Sequence, residues 1–259
     1  MKLELKPEAA ASYKSLSQRA RVLTETWIQE NLYCPACPSD YLSTTPTGER
    51  VIDFACPDCE ETYQLKSQNH PFGKLVVNSA YEPKIEAIRT GTIPNFLFLQ
   101  YDIELLKVSN LFVLPKYFMS ESIIEKRRPL SERARRHGWV GSNILLGNLP
   151  VDARIQIVKD GNEIPKVMVR DSWKKFSFLR EKSVYSRGWL ADVLAYIRQL
   201  DKETFKLAEV YTFERQLAKL HPRNKHIRPK IRQQLQVLRD HGVIEFLGKG
   251  IYHIRAREP

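Results

Sequence analysis

All four cysteines of this chain fall in one segment, and their spacing constrains the fold more than any other feature. Cys34 and Cys37 stand in YCPAC, and Cys56 and Cys59 in ACPDC, giving the pattern C-x2-C-x18-C-x2-C. Such pairs suit four thiolates around a tetrahedral zinc ion. Two disulfides or four buried free thiols are the alternatives. Cysteines two residues apart chelate more readily than they cross-link, and thiols kept for metal suit a reducing, intracellular compartment. We therefore expect structural Zn2+ on Cys34, Cys37, Cys56 and Cys59, and a cytoplasmic location.

A length of 259 residues allows one large or two ordinary domains, and 42% hydrophobic residues can bury a substantial core. The net charge of +11 points to a polyanionic partner, above all nucleic acid, with a merely soluble basic protein as the alternative. The opening MKLELKPEAA has no apolar signal core, and no apolar run approaches membrane-spanning length. No membrane partner is expected.

Helical spacing of Tyr13, Leu16, Ala20, Leu23, Trp27 and Ile28 predicts one helix over 7–32, with Pro7 in its first turn. The turn-rich stretch 39–50 reads as a loop. VIDFA (51–55) and TYQLK (62–66) read as a hairpin capped by the second cysteine pair. A helix is expected over 79–90. FLFLQY (96–101) and LFVLP (111–115) read as buried strands and RIQIVKDG (154–161) as another. EKSVYSRG (181–188) lacks periodicity and reads as a domain boundary. Beyond it, 189–200 and 205–220 are amphipathic, and a third helix starts at Pro229 with Ile231, Leu235 and Leu238 on one face. Strands around the Gly-Lys-Gly turn in 243–254 complete a winged helix. Residues 185–259 hold 15 Lys and Arg against 8 Asp and Glu.

Strand periodicity puts Gln64 and Lys66 on one face, where Asp53 could meet them. A carboxylate and an amide oxygen there can hold Mg2+ (or Mn2+), and the ammonium can orient water or stabilise developing negative charge. Ordinary surface residues are the alternative. EKRRPLSERARRHGW (125–139) carries Lys126, Arg127, Arg128, Arg133, Arg135 and Arg136 beside Trp139. It reads either as a solvated helix face or as a phosphate-contacting element. Trp139 could enter a base step, pack on a methyl group, or sit in the core. On the third C-terminal helix, Gln233 and Gln236 point outward and suit adenine edges, unless they are merely solvated. Arg228, Lys230, Arg232 and, in the turn, Lys249 are the basic residues around them. None of the six histidines stands in a ligand or general-base pattern, and His226 and His253 read as DNA-facing or surface residues.

VIDFACPDCEETYQLK, together with YCPAC, resembles the catalytic segment of DpnI-type restriction endonucleases. These are members of the PD-(D/E)xK superfamily that cut GATC sites with methylated adenine. SQRARVLTETWI, LFVLPKYF, ARRHGWVGSNI, SRGW and HIRPKIRQQLQVLRDHGVIEFLGKGIY are similar to the same family, so the resemblance spans nearly the whole chain. It implies that Asp53 is the metal-binding aspartate and Lys66 the catalytic lysine. Gln64 departs from the pattern, because the family has glutamate there. The amide keeps an oxygen but loses a negative charge, which weakens Mg2+ binding. Glu60 lies four residues away, about 13 Å along a strand, and Glu61 points to the other face.

The expected fold is α/β: a PD-(D/E)xK core, with a mixed sheet flanked by helices and a zinc knuckle, over 1–183, and a winged helix over 184–259. The expected function is a type II, methyl-directed deoxyribonuclease, monomeric in solution. Asp53, Gln64 and Lys66 would carry Mg2+-dependent hydrolysis of double-stranded DNA at GATC containing N6-methyladenine. The alternative is a non-cleaving reader of such DNA, disabled by Gln64.

Overall fold

The structure, a computed structural model, describes residues 1–45 and 52–255. Val51, at the head of the VIDFA strand, and residues 46–50 of the expected loop lie outside the described residues. A 3-10 turn at Pro7–Ala10 precedes helix α1 (Leu16–Asn31). Short strands β1 (Ser43–Thr44) and β2 (Phe54–Ala55) lead into β3 (Thr62–Gln68), β4 (Val76–Ala80), helix α2 (Tyr81–Arg89), β5 (Asn95–Asp102) and β6 (Lys107–Leu114). Strands β7 (Ile124–Lys126), β8 (Gly141–Ile144), β9 (Ile155–Lys159) and β10 (Asn162–Glu163) precede α3 (Lys166–Lys175) and α4 (Val184–Gln199). The last elements are β11 (Thr204–Lys206), α5 (Leu207–Tyr211), α6 (Glu214–Leu220), α7 (Ile227–Asp240), β12 (Ile244–Gly248) and β13 (Ile251–Ile254).

Two compact units interleave along the sequence. The first comprises Met1–Gly73, Ile93–Lys116 and Ala153–Phe176, and the second Lys74–Thr92, Tyr117–Asp152 and Ser177–Pro259. The first unit holds a seven-stranded sheet ordered β1-β2-β3-β5-β6-β9-β10. Only β3 and β5 run parallel; the other neighbours are antiparallel. β5 is central, and Phe96, Leu97, Phe98 and Leu99 are buried on both its faces, which explains their unbroken apolar run. α1 packs against β3, where Thr24 Oγ1 and Ser67 Oγ lie 3.1 Å apart, and α3 packs against β9.

The second unit holds a three-stranded sheet, β4-β8-β7, and a second one, β11-β13-β12. α4 buries Trp189, Leu190, Val193, Leu194 and Ile197, and packs on α7. α7 presents Ile231, Leu235 and Leu238 to the interior, while Phe205, Val210, Leu217, Ile244 and Ile254 fill the space around them. The fold is therefore α/β, a mixed sheet flanked by helices with a C-terminal helix-turn-helix and wing. Among the described residues, no helix is long and apolar enough to cross a membrane.

Several expectations needed correction. The helix expected over 7–32 breaks after Pro7–Ala10 and resumes only at Leu16, because Ser15 is extended at the helix start. Serine favours such positions over helix interiors, and Tyr13 and Leu16 are left exposed. The helix expected over 205–220 splits into α5 and α6. Phe205 is drawn into β11, its ring 5.4 Å from that of Tyr252 in β13, and the Glu209 carboxylate accepts from the Lys206 N–H at 2.7 Å. Helix α4 starts within 181–188, capped by Ser183, whose Oγ accepts from the Ser186 N–H at 3.3 Å, which leaves the domain boundary expected there untouched. The last helix starts at Ile227, which leaves Pro229 inside the first turn.

Candidate active site and nucleic-acid interface

The cysteine pairs sit in two tight backbone turns. In the first, Cys34 N donates to Ser39 O at 3.0 Å; in the second, Cys56 N donates to Glu61 O at 2.9 Å and Glu60 N to Cys56 O at 3.0 Å. The turns face each other. Cys34 Sγ lies 3.6 Å from Cys59 Sγ, Cys37 Sγ lies 3.5 Å from Cys56 Sγ, and all four sulfurs fall within 4.8 Å of one another. A disulfide needs about 2.0 Å between sulfurs. A tetrahedron with zinc–sulfur bonds of about 2.3 Å has edges of about 3.8 Å. The spacing fits the ion, and the cluster can hold a structural zinc.

As thiols the four differ. Burial pushes Cys34 up to about 11 and Cys59 well up. Burial also works against ionisation of Cys56, but the backbone N–H groups of Cys59 and Asp58 bring it down to about 7. Around the cluster, Tyr63 OH lies 3.3 Å from Cys34 Sγ, and the Arg170 guanidinium donates to the carbonyls of Cys34 and Ser39 at 3.3 and 3.0 Å.

Asp53 lies one residue before β2, which pairs with β3 only at Phe54–Tyr63 and Ala55–Thr62. Its N–H donates to Tyr63 O at 2.9 Å. Beyond Tyr63, β3 has no β2 residue beside it, and the Leu65 N–H donates instead to Asp53 Oδ2 at 2.7 Å. The carboxylate is thus seated on β3 between Gln64 and Lys66. Those two side chains share a face with Phe96 and Phe98, their partners in the parallel ladder, whereas Ser67 faces α1. Phe98 stacks on Phe112 at 4.7 Å and meets Phe72 edge-on at 5.1 Å. In this half-buried setting burial lowers the Lys66 pKa, and the Asp53 charge opposes that shift.

Neither neighbouring glutamate substitutes for residue 64. Glu60 is exposed in the knuckle turn at φ 59°. Glu61 is buried, accepting from Asn95 Nδ2 at 2.7 Å and pairing with Lys116 at 3.2 Å. Sequence reasoning missed Arg21 on α1. Its pKa is raised first by its 2.7 Å bond to Glu25 and, further down, by the charge of Asp53, so it is a cation in the neighbourhood of that carboxylate. The i,i+4 spacing to Glu25 was the only signal.

The basic run 125–139 is not a helix. Its first residues complete β7 and the rest form the loop of the β7–β8 hairpin, closed by Arg127 N to Gly141 O at 3.0 Å and Leu130 N to Trp139 O at 2.9 Å. Pro129 breaks any helical continuation. Arg128, Arg133, Arg135 and Arg136 are exposed, and Arg127 is half-buried. Trp139 is neither core nor projecting. It lies across Gly141, where a Cβ would stand 2.8 Å from the indole, and the Arg136 guanidinium covers its ring at 4.7 Å.

On α7, Arg228, Arg232, Gln233 and Gln236 are exposed and Lys230 half-buried, while Gln234 is buried. Several are already engaged: Arg228 pairs with Glu214 at 2.8 Å, Arg232 donates to Tyr211 OH at 2.7 Å, and Lys230 donates to Gln233 at 2.8 Å. Lys249 is exposed at the wing tip with φ 49°, near exposed Phe246 and Leu247. His253 is half-buried in β13 and His226 is exposed. His221, which no sequence pattern distinguished, is buried with its Nε2 2.8 Å from Asp192 Oδ2.

Comparison with known families gave two matches. A family model described as the Dam-replacing family, DpnI, matches residues 1–182. A model described as the Dam-replacing HTH domain matches residues 185–254.

Proposed function

Because the chain belongs to the DpnI, or Dam-replacing, family, we propose that it is a methyl-directed type II restriction endonuclease. Its substrate in this reading is double-stranded DNA at GATC sites containing N6-methyladenine, cut with Mg2+ or Mn2+. The observation that carries the reading is the Asp53 carboxylate held on β3 by Leu65 N–H, beside Lys66. The donor set is hard oxygen, one carboxylate from Asp53 and one amide oxygen from Gln64, and fits Mg2+. When bound, the ion supplies positive charge against the scissile phosphodiester. Asp53 orients that charge, since Leu65 fixes one of its oxygens. Lys66 stabilises the negative charge that develops on the phosphate, and its burial strengthens the interaction. Zinc on the four thiolates has no open position and serves the fold. Duplex recognition falls to the exposed arginines of the β7–β8 loop with Trp139, and to α7 and the wing through Arg228, Lys230, Arg232, Gln233, Gln236 and Lys249. We further propose that the chain acts in the cytoplasm as a monomer.

One observation favours a second reading, a reader that binds methylated GATC without cutting. Residue 64 is an amide where the family has a carboxylate, so the metal site has one negative charge fewer. Digestion of plasmid from methylating and non-methylating hosts, with Mg2+ or Mn2+, decides between them when Gln64→Glu is run alongside. Cleavage restricted to methylated plasmid supports the endonuclease. Tight binding by both proteins without cutting supports the reader.

A further inference from the structure

The sheet β4-β8-β7 of the second unit has two unlike faces. Helix α2 packs on one of them. Lys126 marks that face, with its Nζ 3.1 Å from Glu82 Oε1 and 5.0 Å from the centre of the Tyr81 ring, both on α2. Alternation along the strands puts Glu125 of β7, Asn143 of β8 and Val77 of β4 on the other face. The register makes them one cross-strand row, Glu125 opposite Asn143 and Asn143 opposite Val77. Two residues further along the hairpin, Arg127 N donates to Gly141 O at 3.0 Å, and the Trp139 indole lies over Gly141 with Arg136 over the ring. Val77 is 57% exposed and Glu125 is exposed, so this face is open to solvent.

Glu125 is an acid in a basic hairpin. Arg127, Arg128, Arg133, Arg135 and Arg136 all follow it, yet among the described residues no cation pairs with it. Its Oε2 accepts instead from Asn143 Nδ2 at 2.7 Å, and Oε1 is left without a partner among the described residues. Asn143 is buried, and its own Oδ1 has no partner there either. An orphaned buried acceptor costs stability, so what this amide supplies is the bond that orients Glu125. A carboxylate repels phosphate, and its use against DNA is to accept from a base N–H. In duplex GATC with methylated adenine, the one hydrogen left on N6 pairs with thymine. The amine hydrogens turned to the grooves then belong to the G·C pairs, at cytosine N4 in the major groove and guanine N2 in the minor groove.

We propose that Glu125 is a specificity-determining residue for the outer G·C pairs of GATC, accepting through Oε1 from an exocyclic amine N–H, with Asn143 as its positioning residue. The arginines of the hairpin hold phosphate and carry no sequence information, and Glu125 supplies it. It reads sequence, not methylation. The inference rests on the reading of the β7–β8 hairpin as a DNA-contacting element.

The test titrates the full chain in EDTA with three duplexes and follows protection of Trp139 from acrylamide. Trp27, Trp173 and Trp189 are buried, so this readout reports occupancy of the hairpin and not of the winged helix. The duplexes carry methylated GATC, the same site with 2-pyrimidinone for cytosine, which lacks the N4 amine, and the same site with hypoxanthine for guanine, which lacks the N2 amine. At least one analogue should bind the parent about tenfold more weakly, and which one does so identifies the groove. Glu125→Ala should bind methylated GATC about tenfold more weakly than the parent and be indifferent to that analogue. Glu125→Gln loses the same charge but keeps an acceptor, and should keep a penalty for the analogue. Asn143→Leu should lose part of the discrimination with Glu125 intact; if it fails to fold, Asn143→Ser takes its place with the same outcome. A carboxylate that is merely solvated among arginines predicts the opposite sign, because its removal relieves repulsion of phosphate. Equal or tighter binding of methylated GATC by Glu125→Ala therefore overturns the proposal, and so does a parent indifferent to both analogues. Full discrimination by the Asn143 variant removes the positioning role. If no duplex protects Trp139 in the parent, the DNA reading of the hairpin itself fails, a result distinct from all of these.

Discussion

The Leu65 N–H donates to Asp53 Oδ2 at 2.7 Å, so a residue outside the β-ladder has its carboxylate anchored to the strand that carries Gln64 and Lys66. The bond exists because β2 is too short to occupy that stretch of β3. It turns a sequence separation of eleven residues between Asp53 and Gln64 into a local arrangement.

If Asp53 and residue 64 share a divalent ion, Gln64→Glu should raise cleavage of methylated DNA by restoring a charge. Asp53→Ala should abolish cleavage in both backgrounds, a loss of about a hundredfold or more. Plasmid digestion followed over time checks both. A Gln64→Glu protein that binds methylated GATC with Mg2+ present and leaves it uncut argues against the nuclease.

Lys66→Met separates catalysis from stability. Burial holds the Lys66 ammonium below its ordinary pKa of 10.5. That burial cost is fully present below the folded pKa and vanishes as pH rises to 10.5, where the unfolded chain also releases its proton. Lys66→Met should cut no methylated DNA and still melt no lower than the parent near neutral pH. Its advantage in melting temperature should shrink toward pH 10.5. An advantage that grows with pH would contradict the burial argument.

Zinc removal should loosen the first unit. Chelation, or Cys34→Ser, is expected to lower the melting temperature and release one ion per chain. Proton competition for the thiolates should make chelators more effective as pH falls. Metal analysis of folded protein, with melting curves at two pH values, measures this, and a folded chain without stoichiometric zinc refutes it.

Gly141→Ala tests the seat of Trp139. A Cβ at that position would stand 2.8 Å from the indole, so the ring must lift. Trp27, Trp173 and Trp189 are buried, which makes acrylamide quenching a report on Trp139. Quenching should increase and DNA binding weaken, although no charge is lost. Unchanged quenching would mean that the ring does not rest there.

Much of the first unit was legible because its signals are local. The two Cys-x-x-Cys pairs carry their geometry in their spacing, and Phe96 to Leu99 declare a central strand by their unbroken apolar run. α7 was equally plain, since Ile231, Leu235 and Leu238 recur at helical intervals. What escaped depends on partners far away in sequence. Phe205 looked helical and became a strand residue because Tyr252 lies beside it in the wing sheet. His221 carried no pattern, because its meaning depends on Asp192, on another helix, and on Ser122 beyond that. Glu61 gave no sign that Asn95 and Lys116 would claim it. Arg21 was hidden by an ordinary helical pairing with Glu25.

The interleaving of the two units has a consequence for how the chain is made. β4 is synthesised early, yet its neighbour β8 follows only about sixty residues later, a long-range pairing of the kind that slows folding. Until then its exposed Val77 belongs to an unfinished sheet edge. The seven-stranded sheet, by contrast, has its last strand once Glu163 has left the ribosome, before any residue of α7 exists. During vectorial synthesis the sheet that carries Gln64 and Lys66 can thus be complete while α7 is still untranslated. In the function proposed above, a cell making this protein would meet its chemistry before its discrimination.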